Sequence, residues 1–198
     1  MTHLIISAHP SDKSFSNYLA DLLTKQYKLL GWKVIWRNLY ENDFGVVLSS
    51  KDLATLKSGN LPEDIRAEQN LINQADLISV IYPLWWASFP AVLKGYIDRV
   101  FTNGFAFKYG KEGATGLLTN KKVILHTTMG NTVEEYQEKG LIEAFRNIQG
   151  QEVFGFCGMQ IIGHHFYPQI TIADDKQREH YIQKALNTYP EILANASN

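Results

Sequence analysis

Two adjacent tryptophans, Trp85 and Trp86, stand between Pro83 and Pro90 in the segment PLWWASFP. Prolines stiffen a backbone and remove N–H groups, so the amides of Leu84 to Ala87 are held in a fixed orientation beside two indoles. A flat heteroaromatic ring asks for that combination, namely apolar faces and a few aligned donors and acceptors at its edge. Packing of the same indoles in a core or a subunit interface is the competing reading. A second segment, HPSDKSFSN from His9 to Asn17, leads into a helix-like stretch. A helix start concentrates unpaired N–H groups and the positive end of the dipole, which suits a phosphate. Ser14 or Ser16 adds a hydroxyl there, Asn17 an amide, and His9 a donor to a second phosphate or a surface for a ribose. Ser14 fits a plain N-cap equally well. The third segment is TTMGN, Thr127 to Asn131. Gly130 lets the backbone approach a ligand closely, and the loop amides suit negative charge developing on a bound ring. Tyr136 follows closely enough to hydrogen-bond the same edge, although helical periodicity alone also accounts for it.

These segments matter only if the chain brings them together. Strand-like and helix-like stretches alternate along the whole sequence, the pattern of a parallel sheet covered on both faces. Strands are expected at about His3–Ala8, Lys33–Leu39, Leu77–Tyr82 and Lys122–Thr127, with a fifth within Val153–Gly163. Helical spacing of Phe15, Tyr18, Leu19, Leu22, Leu23 and Leu30 predicts a first helix that Gly31 stops. Further helices are expected at Glu63–Ala75, Pro90–Phe101, Glu134–Ile148 and Lys176–Leu193, with an irregular stretch from Tyr40 to Pro62 and a Gly- and aromatic-rich loop, TNGFAFKYGKEG. The expectation is one α/β domain over residues 1–198, a three-layer sandwich with strand order 2-1-3-4-5. Ligands of such sheets bind beyond the C-terminal strand ends where the order reverses, here between strands one and three. The three segments lie at those strand ends.

Composition narrows the partners. Nineteen basic residues face 20 acidic ones among 198, so no clustered basic surface for nucleic acid and no strongly acidic carrier surface is indicated. The single cysteine, Cys157, cannot form an intrachain disulfide and reads as a small buried apolar residue. MTHLIISAH lacks the features of a signal peptide, and no apolar run reaches the length of a membrane span. A cytoplasmic protein without membrane insertion is expected. His164 and His165 are adjacent, so on a strand they face opposite ways and do not share a metal ion. His165 is instead a candidate for an acceptor pocket.

Taken together, the segments resemble the NAD(P)H:quinone oxidoreductase family, the flavodoxin-like flavoenzymes that include DT-diaphorase. AHPSDKSFS followed by Asn17 resembles the family pattern AH-x(4)-SFN. PEDIRAEQNLINQADLISVIYPLWWASFPAVLKGYIDRVF carries the PL-x-W core at Pro83, Leu84 and Trp86, and the P-A-x-L-K-G helix at Pro90 to Gly95. GFAFKYG resembles the following aromatic loop, and Thr127 and Thr128 the threonines of a T-T-G-G loop. The resemblance implies a flavodoxin-like fold and a flavin, FAD or FMN. It also implies hydride transfer from NAD(P)H through the bound flavin to a quinone or a similar small electrophilic acceptor. It implies that Pro83 to Ala87 line the isoalloxazine, that Thr128 to Asn131 contact its pyrimidine side, and that His9, Ser14, Phe15 and Asn17 hold the phosphate and sugar end. Tyr136 resembles the tyrosine that stabilises the reduced ring. Phe107 and Tyr109 match a loop that closes the site of a partner subunit in a homodimer. Some relatives instead serve as regulatory subunits of potassium-efflux transporters, the alternative role. The sequence departs from the family at Ser16, which replaces Asn, at Met129, which replaces the first loop Gly, at Phe107, which replaces a common Tyr, and after Tyr136, where no histidine follows.

Overall fold

The computed structural model describes residues 1–41 and 44–196. Five parallel strands form the sheet: β1 (Thr2–Ser7), β2 (Lys33–Asn38), β3 (Leu77–Pro83), β6 (Lys122–Thr128) and β7 (Gln160–Tyr167), in the order β2-β1-β3-β6-β7. Counted along the sheet this is the expected 2-1-3-4-5. Strand β3 is buried at all seven positions, LISVIYP, as a central strand covered on both faces must be. One face of the sheet carries Leu4, Ile78, Val80, Tyr82 and Leu125, covered by α3 (Glu63–Gln74), α4 (Ala91–Val100) and a π-helix, Arg146–Gly155. The other carries Ile5, Ile81, Ile124 and Tyr167, covered by α1 (Phe15–Leu29) and α7 (Asp175–Ala196).

Three stretches differ from the expectation. Within the irregular Tyr40–Pro62 region lies α2 (Ser50–Lys57), started by a capping box in which Ser49 and Asp52 satisfy each other's backbone N–H groups. The aromatic loop contains a hairpin of β4 (Phe107–Gly110) and β5 (Gly113–Gly116). The single helix expected over Glu134–Ile148 is instead α5 (Val133–Glu138), α6 (Leu141–Phe145) and then the π-helix, broken at Gly140, whose φ of 67° only glycine adopts cheaply. The π-helix continues through Val153, Phe154 and Gly155. The fifth strand therefore begins at Gln160 and runs past Gly163 to Tyr167. Val153 and Phe154 are apolar because they pack onto the sheet from a helix, a case that apolarity alone does not separate from a strand.

Several charged residues outside the site are paired. Glu68 is buried and meets Arg37 at 2.5 Å. Lys94 and Asp98 form an exposed i,i+4 pair. Burial pushes the Cys157 thiol up to about 11, so it is an inert core group. No helix among the described residues is long and apolar enough to cross a membrane.

Candidate active site

Register brings the three segments to one end of the sheet. Ser7 pairs with Ile81, and Pro83 with Thr128, so β1, β3 and β6 end side by side. The Leu84 N–H donates to the Thr128 carbonyl at 2.8 Å, tying the second segment to the third. The His9 and Trp85 rings lie 5.8 Å apart and tie the first to the second.

The first segment closes on itself before α1 begins. The Ser14 hydroxyl accepts from the Asn17 N–H at 3.2 Å, so Ser14 is an N-cap. The Asn17 side-chain amide donates to the carbonyls of His9 and Ser11, both at 3.1 Å, and holds the loop as a cradle. Phe15 and Ser16 are the first two helical residues, whose N–H groups have no carbonyl one turn back. Ser16 Oγ and Asn17 Oδ1 are buried without a hydrogen-bond partner. Orphaned groups of that kind, beside open amides at a helix start, fit an anionic ligand with hydroxyls of its own. Nδ1 of His9 accepts from the Ser11 N–H at 3.0 Å, which leaves the ring proton on Nε2. Burial lowers the His9 pKa, which keeps the ring neutral with its proton on Nε2. A cleft of about 810 Å³ opens here, lined by His9, Ser14 to Asn17 and Thr128. It continues to Trp36, Thr171 and the first turns of α7, where Asp175, Arg178 and Glu179 stand.

The second segment is a tight turn. Trp85 and Ser88 exchange backbone hydrogen bonds at 3.3 and 3.0 Å, and Trp86 and Ala87 between them have φ of 52° and 56°. Two successive positive φ values define a type I′ turn, which normally recruits Asn or Gly. A non-glycine residue in that region costs about 1–2 kcal/mol, so an aromatic residue and an alanine side by side store strain at this site. The turn leaves Trp86 100% exposed, the most exposed of the large apolar side chains. The turn thus presents an indole to solvent on a strained support, and Trp86 is not a core residue.

The third segment divides by side chain. Thr128 faces the cleft. Thr127 is fully buried, and its hydroxyl meets His164 Nε2 at 3.0 Å beneath the sheet end. Met129 packs inward with Leu84, Ile142, Phe145 and Tyr136. Gly130 is open, since a Cβ there meets nothing within 4 Å, and Asn131 is exposed. Tyr136 is half-buried on α5 against Phe145, at 5.8 Å between ring centroids. Partial burial and then the Glu135 carboxylate raise its pKa, so the phenol keeps its proton.

Other expected residues lie apart from the cleft. Phe107 and Tyr109 sit on the β4–β5 hairpin, with Phe107 5.2 Å from Phe156 and 5.6 Å from Tyr109 between centroids. His165 lies on the α7 face of the sheet, where its Nε2 meets the Thr188 hydroxyl at 2.9 Å. Sequence reasoning did not single out Trp36, Arg178, Phe156 or Gln149. The first two reach the cleft from a strand and a helix remote in sequence, and the last two stand on or beside a helix whose period no sequence pattern announced.

A family model described as the flavodoxin-like fold matches residues 1–193. The chain belongs to this flavodoxin-like family. Among its relatives is an uncharacterized NAD(P)H oxidoreductase of Haemophilus influenzae, 39% identical over 186 residues that cover 93% of this chain and 92% of the relative. NAD(P)H dehydrogenase [quinone] 1 of Cavia porcellus is 32% identical over 85% of this chain and 67% of its own. The solved NAD(P)H:quinone oxidoreductase from Methanothermobacter marburgensis superposes on this flavodoxin-like chain with a TM-score of 0.82 and 31% identity, covering 94% of each. These names describe oxidoreductases, and none of them lends support to the transporter-subunit alternative.

Proposed function

We propose that this chain is a flavin-dependent NAD(P)H:quinone oxidoreductase and that the cleft at the ends of β1, β3 and β6 is its flavin site. One observation carries the reading. A helix start with open amides and orphaned Ser16 and Asn17 atoms lies on one side of His9, and a strained turn presenting a fully exposed indole lies on the other, with His9 and Trp85 in ring contact between them. A flavin bound there supplies two-electron exchange between NAD(P)H and a quinone or similar small electrophilic acceptor.

The protein's own residues position and solvate. The Phe15 and Ser16 amides and the Nε2–H of His9 hold phosphate oxygens. Pro83 to Ala87 would line the ring and Thr128 to Asn131 would meet its pyrimidine side, where the amides of Gly130 and Asn131 would stabilise negative charge, the Met129 N–H being given to the Tyr167 carbonyl at 2.9 Å. Tyr136 donates from its hydroxyl at the same edge. Because several amides share that task, Tyr136→Phe is expected to slow reduction by NADH by less than ~100-fold in stopped-flow measurements. A larger loss would make the phenol the principal donor.

The cofactor is FAD. The cleft extends well beyond the phosphate cradle, to Trp36 and to Arg178 on α7, which leaves room and partners for a second phosphate and an adenosine. In this reading the protein acts as a homodimer, which the exposed apolar side chains of Tyr109, Ile148 and Phe156, between 41% and 71% exposed, support. In a dimer Phe107 and Tyr109 complete the partner's acceptor pocket. Denaturing the purified protein and identifying the released compound by chromatography tests the reading, together with NADH oxidation in the presence of a simple quinone. FAD and quinone-dependent turnover are expected. A colourless protein that takes up neither FAD nor FMN would sink it.

A further inference from the structure

A file of buried polar side chains runs from the middle of the sheet to the Trp85–Ser88 turn. His164 Nε2 meets the Thr127 hydroxyl at 3.0 Å. Thr127 pairs in register with Tyr82 on the neighbouring strand, and its hydroxyl acts on the Tyr82 phenol, lowering a pKa that burial raises by more. Tyr82 donates to Gln149 Oε1 at 2.7 Å, and Gln149 Nε2 donates to the Ala87 carbonyl at 3.4 Å. With the proton of His164 on Nε2, every donor in the file points toward the turn, the arrangement in which successive hydrogen bonds polarise one another. Thr127 and Tyr82 are fully buried and Gln149 is 3% exposed, so the central Tyr82–Gln149 bond is shut off from water, while the bonds at the two ends of the file are part-buried.

The π-helix delivers Gln149 to that place. Its wider turn is marked by the bond from the Phe156 N–H back to the Gln151 carbonyl at 2.7 Å, and it lays Gln149, Gly150 and Phe154 on the sheet. Extended π-helices are rare and are found mostly at functional sites. Here the π-helix places one amide group below a turn whose two central residues, Trp86 and Ala87, both hold positive φ.

We propose that Gln149 is a positioning residue of the flavin site, which fixes the Trp85–Ser88 turn through the Ala87 carbonyl while Tyr82 orients its amide. The inference rests on the flavin reading above. It predicts that the turn loses its set when the amide is removed, and that flavin affinity drops even where the fold stays sound.

The test compares Gln149→Met, Tyr82→Phe and the double variant, each as the full chain, stripped of cofactor and titrated with FAD and with FMN. Melting temperature and visible circular dichroism of the bound flavin are read beside the dissociation constant. Gln149→Met is expected to weaken flavin binding about 10-fold, the scale of one lost buried hydrogen bond. It also lowers the melting temperature, because the Tyr82 hydroxyl is orphaned. In the double variant the Tyr82 hydroxyl is removed together with its Gln149 acceptor and Thr127 keeps His164, so thermal stability returns toward wild type while affinity stays low and the dichroism stays altered. Affinity that recovers together with stability would show Gln149 to be a packing residue and overturn the proposal. So would variants that bind like wild type with unchanged dichroism. If Gln149→Met alone fails to fold, Tyr82→Phe and the double variant still decide the matter. A wild-type chain that takes up no flavin would instead bring down the functional reading itself.

Discussion

Acidification is expected to unfold this protein between about pH 4 and 5. Four histidines resist protonation in the folded chain: His3 and His126 are fully buried, and His164 and His165 are half-buried. Desolvation lowers His3 to about 3. It lowers His164 to about 3 as well, with Arg146 and His165 adding repulsion. His165 falls to about 4, again chiefly by burial, with Lys184 and Arg146 nearby. His126 is pushed well below its usual value by burial, then by His165, His3 and His164. In the unfolded chain each returns to about 6.5. Below that pH the unfolded chain binds more protons than the folded one, so stability falls as pH falls, and above it the effect is absent. Each histidine costs about 1.4 kcal/mol per pH unit, hence roughly 2 kcal/mol at pH 5. Four together approach about 8 kcal/mol, comparable to the whole stability of an ordinary domain at about 5–15 kcal/mol. Far-UV circular dichroism against pH reads the midpoint. Replacing the most deeply buried of them, His126→Leu, should move it to lower pH, although the Tyr167 hydroxyl that meets its Nδ1 at 2.7 Å is then orphaned. A wild-type chain still folded at pH 3 would contradict this account.

The second large effect belongs to one glycine. Gly95 lies in α4, and a Cβ built there falls 1.8 Å from the Val46 carbonyl oxygen and 2.8 Å from its carbon. Both are backbone atoms, so no rotamer change relieves the clash. Gly95→Ala must therefore push the segment around Val46 off α4. That segment is held next door by Arg99, whose Nη1 donates to the Gly45 carbonyl at 2.6 Å and to Asp64 at 2.6 Å, and whose guanidinium lies 4.7 Å from the centre of the Phe44 ring. Arg99 is only 5% exposed, so losing the Gly45 carbonyl and the Phe44 ring takes two contacts from a buried guanidinium, which is left with Asp52 and Asp64. Overpacking with backbone displacement costs about 1–3 kcal/mol, and exposing the Arg99 network adds to it, so a loss of about 3 kcal/mol or more is expected. Thermal and urea denaturation measure it. A melting temperature within a degree or two of wild type would mean that the segment gives way freely and that the contact with α4 does not hold it.

Much of this was legible in the chain itself. Strand β3 announced itself as LISVIYP because a strand covered on both faces must be apolar throughout. The start of α1 was marked by Ser14, and its stop by Gly31. Around residues 140–160 the legibility ended. Val153 and Phe154 look like strand residues, yet they belong to a helix with an unusual period. The positive φ of Trp86 and Ala87 had no local sign at all, since Asn or Gly would ordinarily mark such a turn.

The alternation of apolar runs with helical periods was sufficient for the parallel sheet, its order and the end of it where a ligand must lie. Those follow from local propensity, handed connections and the need to cover both faces, and all three act along the chain. Which side chains meet at that end was decided only by packing. Thr128 turned to the cleft and Thr127 to His164, His165 went to α7, and Gln149 came under the tryptophan turn. Contacts between residues tens of positions apart depend on how strands register and helices settle against one another, and a linear pattern carries no record of that.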